Sequence, residues 1–249
     1  MRPRRSWLDG FWRVLRCRTR RNALFPLYDV GFHGDRHLLG IVDEVLQRTQ
    51  AFVETGAHVG STARYVARNY PDISVYSCEP DVQAYMQAQA NLRDCANARV
   101  YNMESPVFLQ FLHDEHPWLQ TSVNLYFLDA HGGGFQWPLK EELAFVTESL
   151  PAGYILIDDF KVPGMDHFGY GRYDQDECSF AYIRKSFSPG QRYRLWLPKY
   201  TERTSRHHPL RGWVLIEFGD QNALGFSQNL QDKVRTVRLP DSAYQGVEA

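Results

Sequence analysis

Acidic side chains close four apolar, strand-like runs of this 249-residue chain: Glu54, Glu79, Asp129 and the pair Asp158 and Asp159. The first acid opens into Glu54-Thr55-Gly56-Ala57-His58-Val59-Gly60-Ser61-Thr62, a strand running into a glycine turn and then a helix. Gly56 and Gly60 let the backbone approach a ligand where a side chain would clash. In a doubly wound sheet such a turn lies at the carboxyl ends of the strands, where ligands bind. The spacing is Gly-x-x-x-Gly with an acid ahead of it. That departs from the Gly-x-Gly-x-x-Gly signature of dinucleotide binding and favours a cofactor without a pyrophosphate. Glu79 closes the next run ~20 residues after the turn, where an acid can hold a ribose diol. Charge-assisted hydrogen bonds of that kind contribute roughly 1.5 to 3 kcal/mol.

The second pair of runs, Leu125-Tyr126-Phe127-Leu128-Asp129-Ala130-His131 and Ile155-Leu156-Ile157-Asp158-Asp159-Phe160, brings Asp129, Asp158 and Asp159 to the same sheet edge. Three carboxylates so placed repel one another. A divalent cation relieves the repulsion, and oxygen donors suit magnesium, which keeps waters and also takes substrate oxygens. The alternative is that Asp129 contacts a cofactor or caps a helix while Asp159 is structural. His131, two residues from Asp129, is a candidate general base, because an imidazole titrates near operating pH. Equally, it can be a loop histidine bonded to a neighbouring carboxylate or carbonyl. Lys161 is the reserve base. Phe168-Gly169-Tyr170-Gly171-Arg172-Tyr173-Asp174 joins glycines to aromatics and an arginine. It reads as a substrate lid, with Tyr170, Arg172 and Tyr173 as contacts, or as a packed loop.

The elements that must position these residues alternate between strand and helix periods from residue 35 onward, the pattern of a parallel sheet covered by helices. Strands are expected at 51–54, 73–78, 98–102, 123–128, 154–157, 193–197 and 212–218. Helices are expected at 36–47, 61–69, 82–92, 106–112, 139–150 and 179–187. Only a loop, 198–211, separates the last two strands, so they should pair antiparallel. The fold class is therefore α/β, a doubly wound, mostly parallel seven-stranded sheet ending in an antiparallel hairpin. A basic arm spans 1–34, the domain 35–220, and a polar, loosely packed tail 221–249.

The glycine turn with Glu79 resembles motif I and the ribose acid of class I methyltransferases that use S-adenosylmethionine. That resemblance implies that Glu54 and Gly56 line the methionine end and that Glu79 holds the ribose. Glu104 and Ser105 then lie near the adenine, with Gly60, Ser61, Thr62 and Asp129 completing the cofactor contacts. The acid-ended later strands are similar to those of metal-dependent O-methyltransferases, of the catechol and the macrolide-sugar types. By that likeness Asp129, Asp158 and Asp159 hold magnesium, and Val162 to Phe168 matches the loop after the fifth strand. One position departs from it: Gly132 stands where the catechol type has a lysine. The reaction implied is methylation of an oxygen on a small hydroxylated substrate, a sugar, glycan or natural-product precursor. The alternatives are a cofactor-binding protein without turnover, or a same-fold enzyme of hydroxylase type.

Composition narrows the partners. A net charge of -1 gives no global attraction to nucleic acid, leaving a small-molecule substrate as the expected partner. Cys17, Cys78, Cys95 and Cys178 are scattered without disulfide or zinc spacing, which fits a reducing cytoplasm. No run reaches the ~18 apolar residues of a membrane span. Eight arginines between Arg2 and Arg21, mixed with Trp7, Phe11 and Trp12, could form an amphipathic helix on anionic lipid. They could also form a partly disordered arm or a helix packed on the domain. His113 and His116 read as a solvated helix end; His207 and His208, beside Arg203, Arg206 and Arg211, could bind an anionic substrate group but read better as an exposed loop.

Overall fold

The computed structural model describes residues 31–131, 137–205, 208–219 and 224–238. The arginine-rich head, Cys17, Gly132 and His207 lie outside the described residues, as do the expectations attached to them. Among the described residues no helix is long and apolar enough to cross a membrane.

Strands β1 (Ala51–Thr55), β2 (Ser74–Cys78), β3 (Ala98–Tyr101), β4 (Asn124–Leu128) and β5 (Ala152–Ile157) alternate with helices. Those helices are α1 (Arg36–Leu46), α2 (Ser61–Asn69), α3 (Val82–Leu92), α4 (Ser105–Glu115) and α5 (Leu139–Ser149). β1 and β4 are buried along their whole length, as expected of central strands covered on both faces. Each helix buries an apolar stripe at three-to-four spacing, such as Leu38, Ile41, Val42, Val45 and Leu46 on α1. Asp35 starts α1 by accepting from the His37 and Leu38 amides.

After β5 come a two-stranded hairpin, β6 (Arg172–Tyr173) and β7 (Asp176–Glu177), and a short helix α6 (Phe180–Ile183). The chain ends in β8 (Tyr193–Pro198), β9 (Val214–Gly219), α7 (Gln228–Gln231) and β10 (Val234–Arg238). The main sheet runs β10-β8-β9-β5-β4-β1-β2-β3. β1 to β5 are mutually parallel, whereas β9 is antiparallel to both β5 and β8, as the short 198–211 connection requires.

The sheet has eight strands, not seven. The extra one, β10, comes from the segment read as a polar tail and pairs antiparallel with β8, Val234 opposite Pro198. The expected helix at 179–187 is shorter: α6 gives way to a tight 3-10 turn at Arg184–Ser186. His113 also departs from expectation. It is buried, and its Nε2 lies 2.9 Å from the Tyr126 hydroxyl, so it is a core residue rather than a solvated helix end.

Candidate active site

Strand order reverses between β1 and β4, the switch point at which open α/β sheets bind ligands. Thr55 pairs with both Cys78 and Leu128, so the loops leaving β1, β2 and β4 must meet. The Asp129 amide donates to the Thr55 carbonyl at 3.1 Å, and the Gly56 and Ala57 amides both donate to the Cys78 carbonyl. Gly56 has φ +85°, and a Cβ there would stand 2.7 Å from the Asp129 carbonyl oxygen. Conformation and space both demand glycine. Gly60, φ +78°, ends the turn just ahead of Ser61 and Thr62 in the first turn of α2.

Glu79 is fixed by backbone: its oxygens accept from the His58 amide at 2.7 Å and the Asp81 amide at 3.0 Å. A carboxylate has about four lone-pair sites, so two remain for a ligand. Asn102 ties the loops after β2 and β3 together by donating to the Glu79 and Pro80 carbonyls. Glu104 precedes α4 and is exposed, while Ser105 is buried in its first turn. Glu54 lies buried on β1 and accepts from the Ser77 hydroxyl; burial pushes its carboxyl up to about 8.

The acid trio is brought together, since Asp158 comes directly after β5 and its amide donates to the Leu128 carbonyl at 3.3 Å. Each carboxylate faces a nitrogen, and His131 Nε2 also lies 3.9 Å from Asp159 Oδ2. His131 Nε2 stands 3.1 Å from Asp129 Oδ1, His33 Nε2 2.6 Å from Asp158 Oδ2, and Arg211 Nε 3.4 Å from Asp159 Oδ1. The contact with Asp129 pushes His131 up to about 9, and the charge of Asp158 does the same for His33. Burial raises Asp129 to about 6. Burial also works against the charge of Asp158, yet His33 holds it below the usual carboxylate range. Among the described residues, the metal-type donors that converge within 4.8 Å as a group of three are those of His33, Asp158 and Asp159. The expected set had Asp129 in place of His33.

Tyr173 lines the same cleft, its ring 6.1 Å from that of His131 and 5.1 Å from Trp137. Tyr170 and Arg172 bond with Glu177 on the hairpin. Lys161 is drawn there too, its ammonium 2.5 Å from Glu177, which raises its pKa. Sequence reading saw Arg211 only as a neighbour of His207 and His208 in an exposed loop, and it missed His33, Trp137 and Glu142. The last is buried on α5 with burial pushing it up to about 7, and among the described residues neither oxygen has a hydrogen-bond partner.

No protein-family model matches the chain, and no curated protein matches it in sequence. Solved structures do. A Klebsiella pneumoniae protein assigned as an O-methyltransferase aligns at 20% identity and TM-score 0.51, covering 88% of this chain and 92% of its own. TomG of Streptomyces achromogenes, an O-methyltransferase of tomaymycin synthesis solved with SAM, aligns at 15% identity and TM-score 0.54. That match covers 81% of this chain and 86% of TomG. The fold is that of the class I methyltransferases.

Proposed function

We propose that the protein is an S-adenosylmethionine-dependent methyltransferase acting on an oxygen of a small hydroxylated acceptor. One observation carries the reading: the glycine turn, Glu79 and the Asp129–His131 pair meet at the switch point of a class I methyltransferase fold. The residues present fit the cofactor. The Gly56 turn leaves backbone without a side chain beside Asp129, Glu79 keeps lone pairs for a ribose diol, and Glu54 offers a buried acid to the methionine end.

Bound there, the sulfonium supplies an electrophilic methyl carbon and a thioether leaving group. The chain then has to orient the acceptor and take its proton. With His131 Nε2 turned to Asp129, Nδ1 is the atom left to accept the hydroxyl proton as the new oxygen–carbon bond forms. The Trp137 and Tyr173 rings give the cleft an aromatic wall suited to a sugar or phenol face. Holding the reactants in line can supply ~7 to 11 kcal/mol of the barrier.

Calorimetry with S-adenosylmethionine tests the reading, followed by S-adenosylhomocysteine release across a library of sugars and phenols. Absence of cofactor binding would overturn it. Binding without methyl consumption would favour a cofactor-binding protein that does not turn over.

A further inference from the structure

Three carboxylates crowded into one cleft need compensating charge. A divalent cation is one remedy, and this chain carries another. His131, His33 and Arg211 stand 3.1, 2.6 and 3.4 Å from Asp129, Asp158 and Asp159, and His131 Nε2 also lies 3.9 Å from Asp159; of these contacts the His33–Asp158 pair is hydrogen-bonded, while among the described residues Asp129 Oδ1 and Asp159 Oδ1 have ion-pair contacts without a hydrogen bond. The 2.6 Å between His33 and Asp158 is a hydrogen-bond length. Two neighbouring ligands of magnesium, each held at 2.0–2.1 Å, would stand about 2.9 Å apart. Magnesium also selects oxygen donors, whereas the converging donor group contains an imidazole nitrogen. Arg211 carries a permanent charge, so a dication on Asp159 would face a guanidinium across the same carboxylate.

His33 is not there by accident of a loose arm. Phe32 and His33 both take φ +53°, a left-handed conformation that non-glycine residues avoid. Three contacts hold it: Phe32 is wedged edge-on against Phe52, Tyr65 and Phe127, the Ser205 hydroxyl donates to the His33 carbonyl at 2.6 Å, and the Asp35 amide donates to the Phe32 carbonyl. The Asp158 partner is itself buried.

We propose that His33, hydrogen-bonded to Asp158, and Arg211, set beside Asp159, stand where a divalent metal would need to sit against those carboxylates, so that the site works without magnesium. Its meaning for catalysis rests on the methyltransferase reading; the metal chemistry is measured on the protein alone.

Manganese is the probe, because free Mn2+ is counted directly by electron paramagnetic resonance. Titrated up to about 1 mM, the weak end of protein cation sites, Mn2+ should stay free with the wild-type protein. His33→Ala uncovers Asp158 and Arg211→Gln uncovers Asp159, so each should gain Mn2+ affinity, by about tenfold or more. A ligand role for His33 predicts the opposite sign. A saturable wild-type site lost in His33→Ala overturns the inference, and so does failure of both variants to gain affinity once circular dichroism shows them folded. S-adenosylhomocysteine calorimetry on the same samples keeps the two readings apart, since its failure would strike the methyltransferase assignment and leave the manganese result standing.

Discussion

Glu54 is a carboxylic acid that burial keeps protonated near neutral pH, its carboxyl pushed up to about 8 while Ser77 donates to it. A cationic methionine end bound beside it would favour the carboxylate and expel the proton. Cofactor binding at pH 7 should therefore release a proton. Calorimetry in two buffers of different ionisation enthalpy reads this directly, and equal heats would separate Glu54 from the site. Glu79 is the opposite kind of acid, aimed by two amides. Glu79→Ala should weaken cofactor binding at least ~10-fold, the value of its charge-assisted bonds; unchanged affinity would remove it from the ribose. His131, pushed up to about 9 by Asp129, is protonated at neutral pH in the free protein. As a base it must lose that proton, so kcat/KM should climb with pH toward about 9, and His131→Ala should abolish the rise with a loss of ~100-fold. A pH-flat wild-type profile would exclude the imidazole.

At the scale of elements, the turn after β1 is the most constrained piece. Gly56→Ala must place a Cβ 2.7 Å from the Asp129 carbonyl at φ +85°. Either conflict alone costs about 1 kcal/mol or more. A lower urea midpoint with weakened cofactor binding is expected, and a wild-type midpoint would show that the turn yields. This turn was legible because an acid, a glycine spacing and a helix start fall in sequence. So were β1 to β5, whose apolar runs end in acids, and the β8–β9 pairing, set by loop length. β10 was not: among the side chains described in Val-Arg-Thr-Val, Val234 alone is buried, since an edge strand leaves one face to water. The three-to-four spacing that buries Leu109 and Leu112 also carries His113 inward, and Leu139 and Leu143 carry Glu142, so both were readable from periodicity. His33 was not readable, because its meaning depends on a left-handed turn and on a partner 125 residues away.

Across the whole molecule, the site's buried groups bias stability in one direction above neutrality. His33 and His131 sit near 9 folded against 6.5 free, so the stability they contribute is full below 6.5 and lost as pH rises through 9. Glu54 and Glu142, pushed by burial to about 8 and about 7 from 4.5, also bind more protons folded than unfolded, and they too lose stability as pH climbs. His58 and His113 run the other way, being lowered chiefly by burial, but their contribution is complete once pH passes 6.5. A net charge of -1 leaves no global repulsion to mask the trend. Between pH 6.5 and 9 the melting temperature should therefore fall, each group contributing up to ~1.4 kcal/mol per pH unit inside its window. Glu54→Gln cannot ionise and should flatten part of that slope, whatever it does to the absolute melting temperature. A melting temperature that holds or rises toward pH 9 would mean that these acids and imidazoles are better solvated than their burial implies.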